Sequence, residues 1–259
     1  MNINVKKRNG RLVDFDVEKI NRSAERACEN LENVSASEIV LDAKIKLYDK
    51  VKTSEIDKSL ISSASSKIEK DPSYNYVAAR LLLNTIYKEV FGESVYSESF
   101  ELQYHKSFIV NLKKLVKEDI LDKRLTEEFD LKKLSEAIDT SRDLKWKYLG
   151  IQTIYDRYLL HIDGRRMESP QGFFMRVAMG LALAEKENKE EWAIKFYNTL
   201  SSFDLMSSTP TLFNSGTTHP QLSSCYLNTF EDSIDGIFDG LWQEARKSKF
   251  AGGLGMDVT

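Results

Sequence analysis

The sequence predicts a mainly α-helical protein with minor β structure. Three observations carry that expectation. Pro and Gly are sparse, at 4 and 12 of 259 residues, which leaves few breaks in helical runs. Apolar residues recur at helical spacing, as in Phe174, Val177, Leu181 and Ala184, which read as one buried helical face. Asn9-Gly10 and Asp163-Gly164 each stand between short runs, the pattern of a tight hairpin.

The elements follow in order. Val5-Lys6-Lys7-Arg8 and the run Arg11 to Phe15 flank the first hairpin turn. A helix is expected over about 16–30, with Asp16 as its N-cap, and Ser35 or Ser37 caps a second through Tyr48. Thr53, Ser54 and Glu55 open a third helix with cap hydroxyls and an acid in its first turn, and Asp71-Pro72 stops it. A fourth runs from about Ser73 to Phe91, with Gly92 just past its end. This first domain, 1–92, therefore reads as a hairpin plus four helices.

Residues 93–206 read as a second, helical domain. A helix ends near Tyr158, the second hairpin follows, and Ser169-Pro170 opens a helix with Pro at its first position. A further helix covers about 189–202. From Ser207 the character changes to hydroxyls and turn residues, and a third region, 207–259, begins. Ser223 to Leu227 reads as a short strand. Asp232-Ser233 caps a helix with Ile234, Ile237, Phe238, Leu241 and Ala245 on its apolar face. Ala251-Gly252-Gly253 leads into a strand with nothing to pair it, so the chain reads as the N-terminal piece of something larger.

Composition excludes several functions. Hydrophobic residues at 41% supply a real core. The 37 Lys and Arg against 40 Asp and Glu leave no cationic excess for bulk nucleic-acid binding. The two cysteines, Cys28 and Cys225, form no C-x-x-C pair, which argues against a zinc ribbon and a disulfide scaffold. His105, His161 and His219 are far apart, so no metal site is expected in this chain. The apolar stretch 177–184 is far too short to span a bilayer, and no signal-like h-region follows Met1. The expectation is a cytoplasmic protein with reduced thiols, with neither nucleic acid nor membrane as partner.

Three constellations could carry chemistry. Lys7, Arg8, Lys19, Lys52, Thr53 and Lys88 could converge on a polyphosphate, or could be solvated lysines beside an ordinary cap. Thr209, Ser223, Ser224 and Cys225 could hold a phosphate next to a working thiol, or Cys225 could be a structural cysteine, as Cys28 is expected to be in the core. Asp232-Ser233 could bind a ribose or simply cap a helix. Gly252-Gly253-Leu254-Gly255 lacks the strand-to-helix context of a dinucleotide fingerprint, and its glycines permit close backbone approach.

Taken together, the motifs resemble a known family. Val5 to Gly10, Phe15 to Ile20, Lys52 to Ile56 and Tyr74 to Arg80 resemble an ATP-cone domain. Tyr148 to Leu159, Glu168-Ser169-Pro170-Gln171, Ser208 to Thr211, Leu222 to Leu227, Asp232-Ser233-Ile234 and Ala251 to Gly255 look like the large, catalytic subunit of class I ribonucleotide reductase. The resemblance covers essentially the whole chain. It implies an ATP-cone, then a helical domain, then the first strand region of a ten-stranded α/β barrel.

The same resemblance implies roles. Val5, Lys7, Arg8, Asp16, Lys19, Ile20, Thr53 and Lys88 match positions that hold ATP or dATP. Asp57 departs from the family, where many relatives carry a histidine facing the nucleotide, and an acid there repels phosphate unless paired. Cys225 matches one thiol of the pair that reduces the substrate. Thr209 and Ser224 match groups that bind its phosphates, and Gly253 lies at its edge. Asp232, Ser233 and Ile234 match the start of the deoxynucleotide specificity site.

The partners implied are the C-terminal half of the large subunit, if the chain is split or truncated, a small subunit carrying a radical metallocofactor, thioredoxin or glutaredoxin, and a further copy of the chain. The family's remaining catalytic cysteines are absent, so this chain alone is expected to be inactive. The competing reading is a stand-alone ATP- or dATP-binding regulatory or assembly module without catalysis.

Overall fold

A computed structural model describes residues 4–44, 48–92, 99–250 and 252–257. In chain order the elements are β1 (Asn4–Lys6), β2 (Leu12–Asp14), α1 (Val17–Cys28), α2 (Ala36–Lys44), β3 (Val51–Lys52), α3 (Thr53–Ser65), α4 (Tyr74–Val90), α5 (Phe100–Lys117), α6 (Arg124–Glu127) and α7 (Leu131–Glu136). A 3-10 turn (Thr140–Lys145) precedes α8 (Tyr148–Thr153), which runs into a π-helical turn (Ile154–Tyr158). Then come β4 (His161–Ile162), β5 (Arg165–Arg166), α9 (Pro170–Ala182), α10 (Lys189–Ser201), α11 (Thr209–Asn214), β6 (Cys225–Thr229), α12 (Ile234–Lys249) and β7 (Gly253–Asp257). The mainly helical class with minor strands is as expected.

Packing divides the chain into two compact units, 1–108 with 139–173, and 109–138 with 174–259. In the first unit, β1 pairs antiparallel with β2 around Gly10, whose φ of +84° suits glycine. The same β1 pairs in parallel with β3, making a three-stranded sheet that the hairpin signal alone does not contain. Helix α3 packs on β3, and α1 to α4 pack on one another, with Ile39, Leu60, Val77 and Ile86 in the core. The N-cap Asp16 accepts from the Glu18 N–H at 3.0 Å, and Ser35 Oγ accepts from the Glu38 N–H at 3.2 Å. Gly92, at φ +98°, follows the last turn of α4 as expected.

Several boundaries differ from expectation. The described part of α2 ends at Lys44, residues 45–47 lie outside the described residues, and Tyr48 is not helical; its hydroxyl instead bonds Glu55 at 2.6 Å. Thr53 is the first residue of α3, capped by no side chain, because strand β3 delivers the chain directly into the helix. Cys28 is half-buried at the end of α1, and its partial burial pushes the thiol's pKa up. Expected helical residues 93–98 lie outside the described residues.

In the second unit, α7 packs on α10, and Leu121, Leu125, Leu134 and Tyr197 fill the interior. Arg176 is buried, and its Nη1 donates to the carbonyls of Leu212 at 3.1 Å and Ser215 at 2.8 Å, near the end of α11. The apolar periodicity of α9 does not define one face. Residues 171–179 are buried throughout, while Leu181 is half-buried and Ala184 exposed, so the helix runs through protein rather than along its surface. Within the hydroxyl-rich stretch from Ser207, residues Thr209–Asn214 form a short helix with Pro210 in its first turn.

Strands β6 and β7 pair in parallel, Cys225 opposite Gly253 through Thr229 opposite Asp257, with α12 as the crossover. The strand expected to lack a pair is therefore paired. Ala251 lies outside the described residues. Burial alternates along β6: Tyr226 and Asn228 are half-covered, while Cys225, Leu227 and Thr229 share the exposed face. Lys247 of α12 bonds Asn228 and lies over the Tyr226 ring at 5.8 Å.

Candidate functional site

A cleft in the first unit, between the β1–β2 hairpin and α1, α3 and α4, encloses about 640 Å³, open solvent at its mouth included. Of the eight expected nucleotide residues, Val5, Lys7, Asp16, Lys19, Ile20, Thr53 and Lys88 line it. Four of them, Val5, Asp16, Ile20 and Thr53, are placed by local rules. Alternation on β1 turns Val5 inward, capping fixes Asp16, helical spacing brings Ile20 to the same side, and α3 begins at Thr53. Arg8 lines an adjoining basin that shares Lys88 with the cleft. Lys52, also grouped with these cations, is not among the lining residues of either. Sequence reasoning missed the apolar floor, made by Phe15, Ile56 and Leu60; its signal is only the core periodicity of α3 and the hairpin's end.

The charged end is paired internally. Lys88 Nζ lies 2.9 Å from Asp57 Oδ1, and Arg8 Nη2 lies 3.7 Å from Asp57 Oδ2 and 4.0 Å from Glu89 Oε1. Asp57 therefore occupies the cations expected to meet phosphate, which answers the charge problem it poses. Lys19 pairs with Asp16 at 3.5 Å. Glu89 also accepts from the Tyr155 hydroxyl at 3.0 Å. Burial, with the Glu89 charge added, pushes the Tyr155 phenol up to about 12.

The last cone helix is tied to the helical segments of the same unit through one carboxylate that the sequence did not flag. Asp143 Oδ2 accepts from Tyr87 Oη at 2.6 Å and Tyr104 Oη at 2.9 Å, while Oδ1 accepts from Gln171 Nε2 at 2.9 Å. Burial pushes the Asp143 carboxyl up to about 6, against the pull of these hydrogen bonds. The Glu168–Gln171 motif is thus partly structural: Gln171 serves Asp143, and Glu168 Oε2 accepts from the Leu160 N–H at 2.8 Å.

In the second unit, Cys225 is an exposed free thiol at the start of β6. Its ladder partner is Gly253, whose N–H donates to the Ser224 carbonyl at 2.8 Å. A methyl at Gly253 would lie 3.4 Å from Cys225 Sγ. The structure thus brings Ser224, Cys225 and Gly253 together. Thr209 begins α11, which is tied to the segment before β6 by Thr211 Oγ1 donating to the Leu222 carbonyl at 3.0 Å and Asn214 Nδ2 to the Gln221 carbonyl at 2.7 Å. Asp232, Ser233 and Ile234 lie at the other end of β6, at the start of α12, roughly 13 Å of strand from Cys225. The N-cap is Ser233 alone, whose Oγ accepts from the Gly236 N–H at 3.0 Å. Among the described residues, no cluster of His, Cys, Asp and Glu could hold a metal ion, and no helix is long and apolar enough to cross a membrane.

The first unit thus carries a cleft with a charged end and an apolar floor, set on a hairpin and four helices. Comparison with known proteins shows what these regions are similar to. Residues 3–89 match the ATP cone domain, and residues 144–220 match the all-alpha domain of ribonucleotide reductase. The chain is 45% identical over 238 residues to the ribonucleoside-diphosphate reductase subunit alpha of Chlamydia trachomatis, covering 90% of this chain and 22% of the relative. It is 43% identical over 262 residues to the subunit alpha of Helicobacter pylori, covering 99% of this chain and 32% of the relative. The large subunit from Danio rerio is 34% identical over 264 residues, covering 99% of this chain and 32% of the relative. The chain carries regions that match the ATP cone and the all-alpha domain of ribonucleotide reductase, and it spans from about a fifth to a third of the length of these large-subunit relatives.

Proposed function

We propose that the chain is the regulatory and substrate-entry portion of a class I ribonucleoside-diphosphate reductase large subunit, with 1–92 as the cone, 93–206 as the helical domain and 207–259 as the start of the catalytic barrel. The observation that carries this reading is the cone cleft, where seven of the eight expected residues converge. The base and ribose of ATP or dATP would lie on Phe15, Ile56 and Leu60, with the phosphates toward Lys7 and Lys88. Lys88 and Arg8 would exchange Asp57 for phosphate.

On β6, Cys225 would supply one thiol of a redox pair. Two thiols give up two electrons and two protons, the 2′-hydroxyl of the ribose leaves as water, and a disulfide remains. The second thiol, the radical from a small metal-bearing subunit and re-reduction by thioredoxin or glutaredoxin come from partners. Ser224 and Thr209 would hold the substrate's phosphates, and Gly253 leaves room at its edge. Asp232, Ser233 and Ile234 would take a deoxynucleotide effector, in a dimer of the assembled subunit. A cytoplasmic setting follows from this reading.

The test is to purify the chain with its bound partners from its own cells and assay reduction of cytidine diphosphate with dithiothreitol and ATP. Activity that Cys225→Ser abolishes, with ATP binding retained, is the expected result. Full activity in the Cys225→Ser complex overturns the catalytic role. ATP binding by an assembly that never reduces nucleotides would leave a regulatory module.

A further inference from the structure

Three cations from separate stretches of sequence line the open basin beside the cone cleft. Arg8 comes from the tip of the first hairpin, Lys88 from the last turn of α4, and Arg165 from β5, outside the segment matched as the cone. Asn9, Glu89 and Asp163 lie on the same walls, and the basin encloses about 1,080 Å³, open solvent included. Lys88 lines both spaces, so the two adjoin at its side chain.

The three cations are not in the same state. Arg8 and Lys88 are held by Asp57. Arg165 makes one hydrogen bond, from Nε to the Glu89 carbonyl at 2.6 Å, one of the last carbonyls of α4. Its two terminal nitrogens have no hydrogen-bond or ion-pair partner among the described residues. The side chain is therefore anchored at its root with its charged fork open to the basin, the arrangement that suits a bidentate phosphate contact.

We propose that Arg165 is a nucleotide-binding residue contributed from outside the cone, which takes the terminal phosphate of a nucleoside triphosphate and so separates triphosphates from shorter nucleotides. This rests on the reading that the cone cleft binds ATP or dATP. It also gives the β4–β5 hairpin a direct contact with the effector.

The experiment is isothermal titration calorimetry of ATP, ADP and AMP into the chain and into Arg165→Gln. Glutamine keeps an N–H for the Glu89 carbonyl and removes the charge. The wild-type chain is expected to bind ATP tightest. Arg165→Gln is expected to weaken ATP about tenfold while AMP changes less than twofold. Arg165→Lys, which restores the charge, is expected to recover part of the ATP-over-AMP preference. Equal weakening of ATP and AMP in Arg165→Gln, or no change in either, overturns the role of Arg165 alone. A wild-type chain that binds none of the three overturns the cone reading, and this inference with it.

Discussion

In the cone cleft, Val5, Ile20 and Leu60 are more than nine-tenths buried, and the charged groups at one end are held by each other. On the β6–α12–β7 unit, Leu227 is 88% exposed, Ile234 75% and Phe238 67%, and Cys225 stands in the open. The first site is shaped by side chains packed on four helices and a small sheet. The second is shaped by a backbone ladder and a missing side chain at Gly253. Side-chain sites fail when their packing fails; ladder sites tolerate loss of side chains and fail when a glycine gains one.

Breaking the packing gives the largest effect. Leu60→Ala is expected to destabilise the chain by about 3 kcal/mol in urea unfolding and to weaken ATP binding with it. An unchanged midpoint would show that the cleft floor is not part of the cone core.

Next in size is a pH dependence. Asp143 has a folded pKa of about 6, above its ordinary 3.8, so the native state holds its proton longer than the unfolded state does. Its contribution is fully present below the unfolded pKa and is lost as pH rises through about 6, by roughly 3 kcal/mol in all. Asp143→Asn removes the titration. The stability difference between wild type and variant, followed from pH 4 to 7, is therefore expected to shift against the wild type as pH rises, and a flat difference contradicts the burial argument.

The pairing at the charged end can be sharpened. Asp57→Asn frees Lys88 and Arg8, and tighter ATP binding, by about threefold to tenfold, is expected in calorimetry. Weaker binding would mean that Asp57 positions these cations rather than competing for them.

The smallest effects fall on the strand pair. Leu227→Ser is expected to change stability by less than about 0.5 kcal/mol. Gly253→Ala, by contrast, places a methyl 3.4 Å from the Cys225 sulfur and 3.3 Å from the Ser224 carbonyl, and is expected to slow alkylation of Cys225 by iodoacetamide severalfold at little cost in stability. Equal alkylation rates would show that the glycine does not govern access to the thiol.

What was legible in the sequence follows the same division. Caps, turn dipeptides and alternation are local, so Asp16, Gly10 and the face carrying Val5 were readable. The eight nucleotide residues were grouped by the resemblance to an ATP cone; the residues alone suggested only a set of cations, Lys7, Arg8, Lys19, Lys52 and Lys88, beside the helix start at Thr53. Asp143 was not readable. It lies in a short 3-10 turn, and its partners Tyr87, Tyr104 and Gln171 are 28 to 56 positions away. The β3 pairing was missed because two residues, Val51 and Lys52, carry no period. The periodicity of α9 was misread as one face because a helix buried on all sides is apolar on the expected face as well.

If the cleft binds nucleotide as proposed, Asp57 would also raise the concentration needed to fill it. Because it is attached to the same framework as Lys88 and Arg8, it competes for them as a ligand that never diffuses away. A nucleotide must outbid that standing occupant before it fills the cleft. On the proposed reading, the carboxylate would shift the whole binding curve to higher nucleotide concentration by the same factor that Asp57→Asn removes, without changing its shape.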